Sequence, residues 1–121
     1  MRALVVDDSG TMRKIMISYL ADLGIAPADE APDGDDAVAM AAQKPYDVVL
    51  LDWNMPKLSG IDALKAIRAS GNKVPVVIVT TESEKQRMLE AIKAGANNFV
   101  IKPFVKETLQ GAVRKTLGLA A

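Results

Sequence analysis

Apolar residues follow two different patterns along this chain. Unbroken apolar runs occur in "ALVV" at residues 3–6, "VVLL" at 48–51 and "VVIV" at 76–79. In the segments between them, apolar residues recur every three or four positions, which is the period of an amphipathic helix. Short strands and amphipathic helices are therefore predicted to alternate along the chain.

Five strand–helix pairs are predicted from this alternation. The strands are "ALVV", a weak one within "IAPADEAPDG", then "YDVVLLD", "VPVVIVTT" and "NFVIK". Pro27 and Pro32 fit an edge position for the weak strand, because an edge tolerates a missing backbone donor. Gly24 is expected to cap the first helix, and the fourth helix is predicted from about Glu82 to Gly95. The stripes of the other helices are Met12, Ile15, Met16, Tyr19, Leu20 and Leu23; Ala37, Val38 and Ala41; Ile61, Leu64 and Ile67, closed by Ser70, Gly71 and Asn72; and Leu109, Ala112, Val113, Thr116 and Leu117.

The uniform apolar character of the strands indicates the fold class. Strands that are apolar at every position are buried on both faces, so the sheet is parallel with helices on both sides. The prediction is a doubly wound α/β fold with a five-stranded parallel sheet and five helices. The 121 residues form one domain, 1–121, and we expect no output domain because the last helix ends the chain.

The composition excludes several kinds of chemistry. The chain has no Cys and no His, so thiolate nucleophiles, zinc–sulfur sites and imidazole bases are ruled out. A metal ion would need oxygen ligands, which favours Mg²⁺, Ca²⁺ or Mn²⁺. The zero net charge gives no indication of nucleic-acid binding, and no apolar run approaches the ~20 residues that span a bilayer. With no signal peptide, we expect a cytoplasmic protein.

Polar side chains follow four of the five predicted strands. In open α/β sheets, ligands bind at the carboxyl ends of the strands. Clustered carboxylates repel one another unless a cation lies among them, and without His or Cys the simplest choice is Mg²⁺. The residues are Asp7 and Asp8 after the first strand, Asp52 after the third, Thr80 and Thr81 at the end of the fourth, and Lys102 after the fifth.

Each of these side chains alone has an ordinary structural explanation. Asp7 and Asp8 could cap the following helix, Asp52 could begin a turn, Thr80 could satisfy backbone donors, and Lys102 could begin a loop. Together they suggest phosphoryl transfer, because an Asp carboxylate can attack phosphorus to give an acyl phosphate. The chain has neither a "GxxxxGK[ST]" nor a "GxGxxG" segment, so the phosphoryl group is expected to arrive on a partner or a small donor.

Four motifs resemble the receiver domain of two-component response regulators. They are "VVDDSGTMRKIM", "VVLLDWNMP", "VVIVTTE" and "FVIKPF", and the resemblance covers essentially the whole chain. It is nearest to the single-domain chemotaxis regulators of the CheY type. The resemblance implies a flavodoxin-like fold with strand order 2-1-3-4-5, which is known for that type. It also implies a histidine kinase as phosphoryl donor, a flagellar motor switch as downstream target, and a monomeric protein that is not an enzyme acting on separate substrates.

The same resemblance implies a role for each site residue. Asp52 corresponds to the phosphoacceptor, and Asp8, Asp52 and the backbone carbonyl of Asn54 correspond to the Mg²⁺ ligands. The other positions are Asp7, which holds a metal-bound water; Thr80, the switch hydroxyl; Lys102, the ionic partner, with a cis bond to Pro103; Asn54 and Glu82, which tune hydrolysis; and Phe99, the switch aromatic, where the best-known members have Tyr.

An apolar partner surface is also predicted. Met88 and Ile92 are spaced to lie on one side of the fourth helix, beside Phe99, and an exposed apolar patch would mark a partner site. The alternative is that both residues simply widen the core stripe, in which Leu89 is expected.

Other functions also have to be weighed against the sequence. A phosphorelay intermediate or a phosphate sink would use the same site with different partners. A Mg²⁺-dependent phosphatase with an aspartyl nucleophile is less favoured, because such enzymes usually have a second Asp where this chain has Asn54. A receiver without phosphorylation is disfavoured, because no expected site residue is missing.

Overall fold

The computed structural model describes residues 1–81 and 85–119, and strands and helices alternate throughout. The fourth helix begins at Lys85 within the described residues, so the predicted start at Glu82 lies outside them. The elements are β1 (Ala3–Val6), α1 (Gly10–Ala21), β2 (Ala28–Ala31), α2 (Gly34–Gln43), β3 (Val48–Leu51), α3 (Gly60–Ala69), β4 (Val76–Thr80), α4 (Lys85–Ala94), β5 (Asn98–Ile101) and α5 (Lys106–Leu117).

The five strands form one parallel sheet in the order β2-β1-β3-β4-β5, which confirms the predicted fold class and topology. Alternate residues of each strand face opposite sides. In β1, Leu4 and Val6 pack in the core with α2, α3 and α4, whereas Ala3 and Val5 pack in the core with α1 and α5. Both cores are apolar, which explains why β1 and β3 are apolar at every position and β4 at every position before Thr80 at its end.

Strand β2 lies at the edge of the sheet, as predicted, and pairs only with β1. Its residues are mostly half-buried or exposed, which accounts for its weak hydrophobic signal. Pro27 immediately precedes it and still accepts a hydrogen bond through its carbonyl from the Ala3 N–H, at 3.1 Å. The edge strand β2 therefore accommodates the flanking prolines and keeps its hydrogen bonds to β1.

The turn after α1 has the predicted glycine cap. Gly24 has φ +78°, a conformation that only glycine adopts at little cost. The Gly24 N–H donates to the Ala21 carbonyl at 2.9 Å, and the Ile25 N–H donates to the Leu20 carbonyl at 3.0 Å. These two bonds form a Schellman motif, which satisfies carbonyls at the end of the helix.

The prediction that Leu89 belongs to the core is wrong, because half of its surface is exposed. Ile15, which was placed in the stripe of α1, is also 36% exposed. Within the described part of α4 only Ala91 is buried. Ala91 packs in the core, whereas the larger Leu89 and Ile92 on either side of it are exposed. Within residues 1–81 and 85–119, no helix combines the length and apolar character needed to cross a membrane.

Two glycines fix the loop between β3 and α3. A Cβ at Gly60 would collide with the backbone carbonyl oxygen of Asp52, and a Cβ at Gly34 would collide with that of Leu58. The Gly60 N–H also donates to the Trp53 carbonyl at 2.8 Å. The first turns of α2 and α3 are therefore packed directly against the loop that follows Asp52.

We expect Gly60→Ala to destabilise the protein by about 3 kcal/mol, because the new methyl group would meet backbone that no side-chain rotation can relieve. Gly111→Ala is the matched control, since nothing lies within 4 Å of a Cβ at that position of α5. Replacing that helical glycine should instead stabilise the fold by about 0.5–1 kcal/mol. Urea unfolding of both variants measures the two changes, and similar effects would contradict the packing argument.

Candidate phosphoacceptor and metal site

The predicted acids meet at the carboxyl edge of the sheet. Asp7 is 1% exposed and Asp52 is 6% exposed, whereas Asp8 is exposed to solvent. One carboxylate oxygen from each of the three lies within 4.8 Å of the other two. Thr80, at the end of β4, is fully buried. The structure therefore brings together the three acids that the strand ends predicted, and Thr80 ends the strand next to that of Asp52.

Hydrogen bonds to β2 and to the start of α1 hold Asp7 in place. Its N–H extends the ladder by donating to the Ala31 carbonyl at 3.1 Å, and its Oδ1 accepts the Ser9 N–H at 2.9 Å. Ser9, not either acid, caps α1, because its hydroxyl accepts the Met12 N–H at 3.2 Å. The alternative that Asp7 and Asp8 serve as the helix cap is therefore wrong.

Asp52 continues β3 by one residue before the chain turns. Its N–H donates to the Val6 carbonyl at 3.0 Å, so its backbone belongs to the rigid centre of the sheet. The Asn54 N–H donates a hydrogen bond to its carboxylate. This geometry fixes a buried acid at the tip of the most apolar strand.

Lys102 places one positive charge between two of the acids. Its Nζ lies 2.7 Å from Asp7 Oδ2 and 3.5 Å from Asp52 Oδ2. The backbone supports this position, because the Lys102 N–H donates to the Thr80 carbonyl at 2.8 Å. The Lys102–Pro103 peptide bond is cis, as the resemblance implied. Lys102 is thus paired more closely with Asp7 than with Asp52.

Burial raises the pKa of Asp52 to about 6. The ammonium of Lys102 opposes this shift, and the negative charge of Asp7 adds to it. The cause is the removal of a carboxylate from water, which penalises its ionised form. One ammonium beside the acids does not fully compensate that penalty, so the site favours additional positive charge.

The donor set fits a hard divalent cation. The cluster offers only carboxylate oxygens, and a chain without Cys or His provides no thiolate or imidazole ligand. Mg²⁺ prefers oxygen ligands and normally keeps several waters, which the exposed position of Asp8 allows. Asn54, whose carbonyl was the third expected ligand, lies in the adjoining loop two residues after Asp52.

An aromatic contact adjoins the site. Trp53 is 4% exposed, and its ring meets that of Phe99 edge to face, with centroids 6.5 Å apart. The guanidinium carbon of Arg87 lies 5.5 Å from the centre of the Trp53 ring. Arg87 was missed from the sequence, because helix periodicity gives no indication that a side chain of α4 reaches a residue in another loop.

Met88 and Ile92 are exposed by 37% and 52%, so they do not simply widen the core. Phe99 is half-buried and packs against the core on the side of α4. The exposure of the two aliphatic residues agrees with the expected patch, which we call the α4 patch and define as Met88, Ile92 and Phe99. Its role in partner binding stays a prediction.

Comparison with known proteins identifies the class. Residues 3–114 match the family model of the response regulator receiver domain. The chain therefore belongs to the response regulator receiver family, whose members in two-component systems act as signalling switches.

Among curated relatives, it is 41% identical to the chemotaxis protein CheY of Pseudomonas aeruginosa, over 95% of this chain and 94% of that one. It is 42% identical to CheY-3 of Vibrio cholerae, over 95% and 90% of the two chains. Among solved structures, CheY4 of Vibrio cholerae is 33% identical with a TM-score of 0.89, covering 96% of this chain and 98% of that one. A Francisella receiver domain is 29% identical, also with a TM-score of 0.89, covering 97% and 96%.

The raised pKa of Asp52 predicts a pH-dependent cost of folding in metal-free protein. The folded state binds the proton of the Asp52 carboxyl more tightly than the unfolded chain does. Protonation of Asp52 therefore stabilises the folded state at low pH, and this contribution to the free energy of unfolding is lost as pH rises from about 4 to about 6. Asp52→Asn removes the cost. We expect the variant to be more stable than wild type by about 1–2 kcal/mol at pH 7.5, after allowing for the lost attraction to Lys102.

Urea unfolding with EDTA at pH 4.5 and pH 7.5 tests this expectation. The advantage of Asp52→Asn should shrink at the lower pH, where the wild-type carboxyl is protonated in the folded state. An equal advantage of Asp52→Asn at both pH values would contradict the assignment of the burial cost to this carboxyl.

Proposed function

We propose that this protein accepts a phosphoryl group from a histidine kinase on Asp52 in a Mg²⁺-dependent reaction, and that the modification changes its affinity for a downstream protein. The observation that carries the proposal is the position of Asp52. A carboxylate only 6% exposed lies at the end of a rigid central strand, beside two further acids and 3.5 Å from an ammonium. A structural role alone would not require three acids together.

In the transfer step, a carboxylate oxygen of Asp52 forms a bond to phosphorus while the P–N bond of the donor phosphohistidine breaks. The ionised form of Asp52 is the nucleophile, and its raised pKa keeps the lone pair basic. Asp8, Asp52 and the Asn54 carbonyl would hold Mg²⁺, with Asp7 acting through a bound water. The cation would supply positive charge that favours ionised Asp52 and balances the phosphoryl oxygens.

Lys102 provides the second positive charge. Its Nζ is already 3.5 Å from Asp52 Oδ2, so it can bind an oxygen of a phosphoryl group attached there. Such a move would weaken its present 2.7 Å contact with Asp7. Thr80, buried at the neighbouring strand end, would provide the switch hydroxyl.

Two further positions would set the lifetime of the acyl phosphate. The side chain of Asn54 is exposed at the entrance to the site, where it could influence the approach of water. Glu82 has the same proposed role and lies outside the described residues. Both roles are those of the matching positions in the receiver-domain motif.

Chemotaxis is the proposed output, because several curated relatives covering nearly the whole chain are chemotaxis proteins. The downstream partner would be the flagellar motor switch, bound at the α4 patch. The proposal includes a monomeric receiver over residues 1–121 that acts in the cytoplasm, where kinase and Mg²⁺ are available. It catalyses its own modification and no turnover of a separate substrate.

We expect a small phosphodonor with Mg²⁺ to phosphorylate wild-type protein without a kinase, because the proposed nucleophile and the charges around it all belong to this chain. Intact mass after incubation with acetyl phosphate should show one added phosphoryl group. EDTA should abolish it. Asp52→Asn should show none while keeping its fold, and equal phosphorylation of that variant would defeat the proposal.

Lys102→Ala separates metal binding from switching. Because Lys102 would act on the phosphoryl group, its loss should impair partner binding by the modified protein more than it impairs Mg²⁺ affinity.

Mg²⁺ binding should change the fluorescence of Trp53, which is the only tryptophan and directly follows Asp52. Asp8→Asn should weaken the apparent affinity by at least about tenfold, since it removes a charged oxygen ligand. Asp22→Asn, at an exposed residue at the far end of α1, is the matched control and should titrate as wild type. Unchanged Mg²⁺ affinity in Asp8→Asn would show that the metal assignment is wrong.

A further inference from the structure

Helix α4 is weakly packed along its length. Within its described residues only Ala91 is buried, while Leu89 and Ile92 are exposed by 50% and 52%. Its position therefore depends on contacts near its two ends more than on a broad apolar interface.

The carboxyl end of α4 is fixed to α3 by Arg68. The guanidinium donates from Nε and Nη2 to the Gly95 carbonyl at 3.2 and 2.8 Å, and from Nη2 to Asn97 Oδ1 at 3.1 Å. A Cβ at Gly95 would lie 2.9 Å from Arg68 Nε, so the two residues are in close contact. This end of the helix is the anchored one.

Arg87 makes the corresponding contact near the amino end. Its guanidinium carbon lies 5.5 Å from the centre of the Trp53 ring, a favourable distance for a cation above an indole. Trp53 directly follows Asp52, and its ring also meets Phe99 of the α4 patch. One side chain therefore joins α4 to the residue next to the phosphoacceptor.

A groove lies beside α4 along its described length. This open groove of about 710 Å³ is lined by Lys65 of α3 and, among others, by Arg87, Leu89 and Lys93 of α4. The contact between Arg87 and Trp53 is thus well placed to decide where the amino half of α4 lies.

We propose that Arg87 is a positioning residue that holds α4 in the conformation of the unmodified protein through Trp53, and that modification of Asp52 weakens this contact. The inference rests on the proposed function and adds the link between the site and the α4 patch. A contact present only in the unmodified conformation opposes modification, and by linkage its removal must favour modification by the same factor. Arg87 is thus part of the switch without touching the reacting atoms.

A purely local role for Arg87 makes a different prediction. Arg87 Nη1 lies 3.7 Å from Glu90 Oε1, an exposed pair one helical turn apart. Such pairs contribute little to stability, and their loss would not change affinity for a ligand at Asp52. Glu90→Gln removes this ion pair and leaves the cation above Trp53, so it is the matched control.

The test measures the affinity of the full chain for beryllofluoride with Mg²⁺ by isothermal titration calorimetry, since this anion mimics a phosphoryl group on a carboxylate. Arg87→Gln should bind about threefold more tightly than wild type, the factor expected for loss of one partly exposed cation–aromatic contact. Arg87→Lys, which keeps a cation, should lie closer to wild type. Glu90→Gln should equal wild type.

A double-mutant cycle with Trp53→Phe identifies the route. In the Trp53→Phe background, Arg87→Gln should change beryllofluoride affinity much less, because the weaker ring has already reduced the contact. If wild type binds beryllofluoride and Arg87→Gln binds it equally well, the inference is overturned while the proposed function stands. If Arg87→Gln has its full effect in the Trp53→Phe background, the route through Trp53 is wrong. If wild type fails to bind beryllofluoride, both proposals fall.

Discussion

The pairing of one ammonium with two buried carboxylates governs the chemistry at the sheet edge. Lys102 Nζ lies 2.7 Å from Asp7 and 3.5 Å from Asp52, while Asp8 adds a third negative group at the solvent side. Burial raises the pKa of Asp52, and the nearby negative charge of Asp7 adds to that shift. The protein folds with this cluster, but one ammonium does not balance three carboxylates. The site is therefore suited to a cation and then to a phosphoryl group.

The architecture explains why that incomplete charge can be tolerated. The strands that present the acids are buried on both faces, and the loop after Asp52 is fixed by backbone contact at Gly60. Burial of the apolar strands stabilises the fold enough to offset the cost of placing the acids together. The rigid packing also prevents the carboxylates from moving away from one another. Trp53 lies in this rigid region, and its contact with Arg87 joins the site to the weakly packed helix α4.

Sequence patterns predicted what depends on local periodicity and strand ends. The apolar run before Asp52 predicted a buried strand, and the parallel topology then placed Asp7, Thr80 and Lys102 at the same edge. The residues that escaped prediction depend on tertiary geometry. Leu89 has the spacing of a core residue but is half exposed, whereas Ala91 packs in the core. Arg87 reaches Trp53 across a loop, and no helical period indicates such a contact.

The sparse burial of α4 also has an evolutionary consequence. Substitutions at exposed positions such as Met88, Leu89 and Ile92 change stability little, because few of their atoms leave water on folding. Mutations there can accumulate without unfolding the protein, and some of them can create affinity for new partners. The acid-bearing strand ends have no such freedom. Duplicated copies of this chain could therefore keep one phosphoacceptor chemistry while their α4 surfaces diverge toward separate targets.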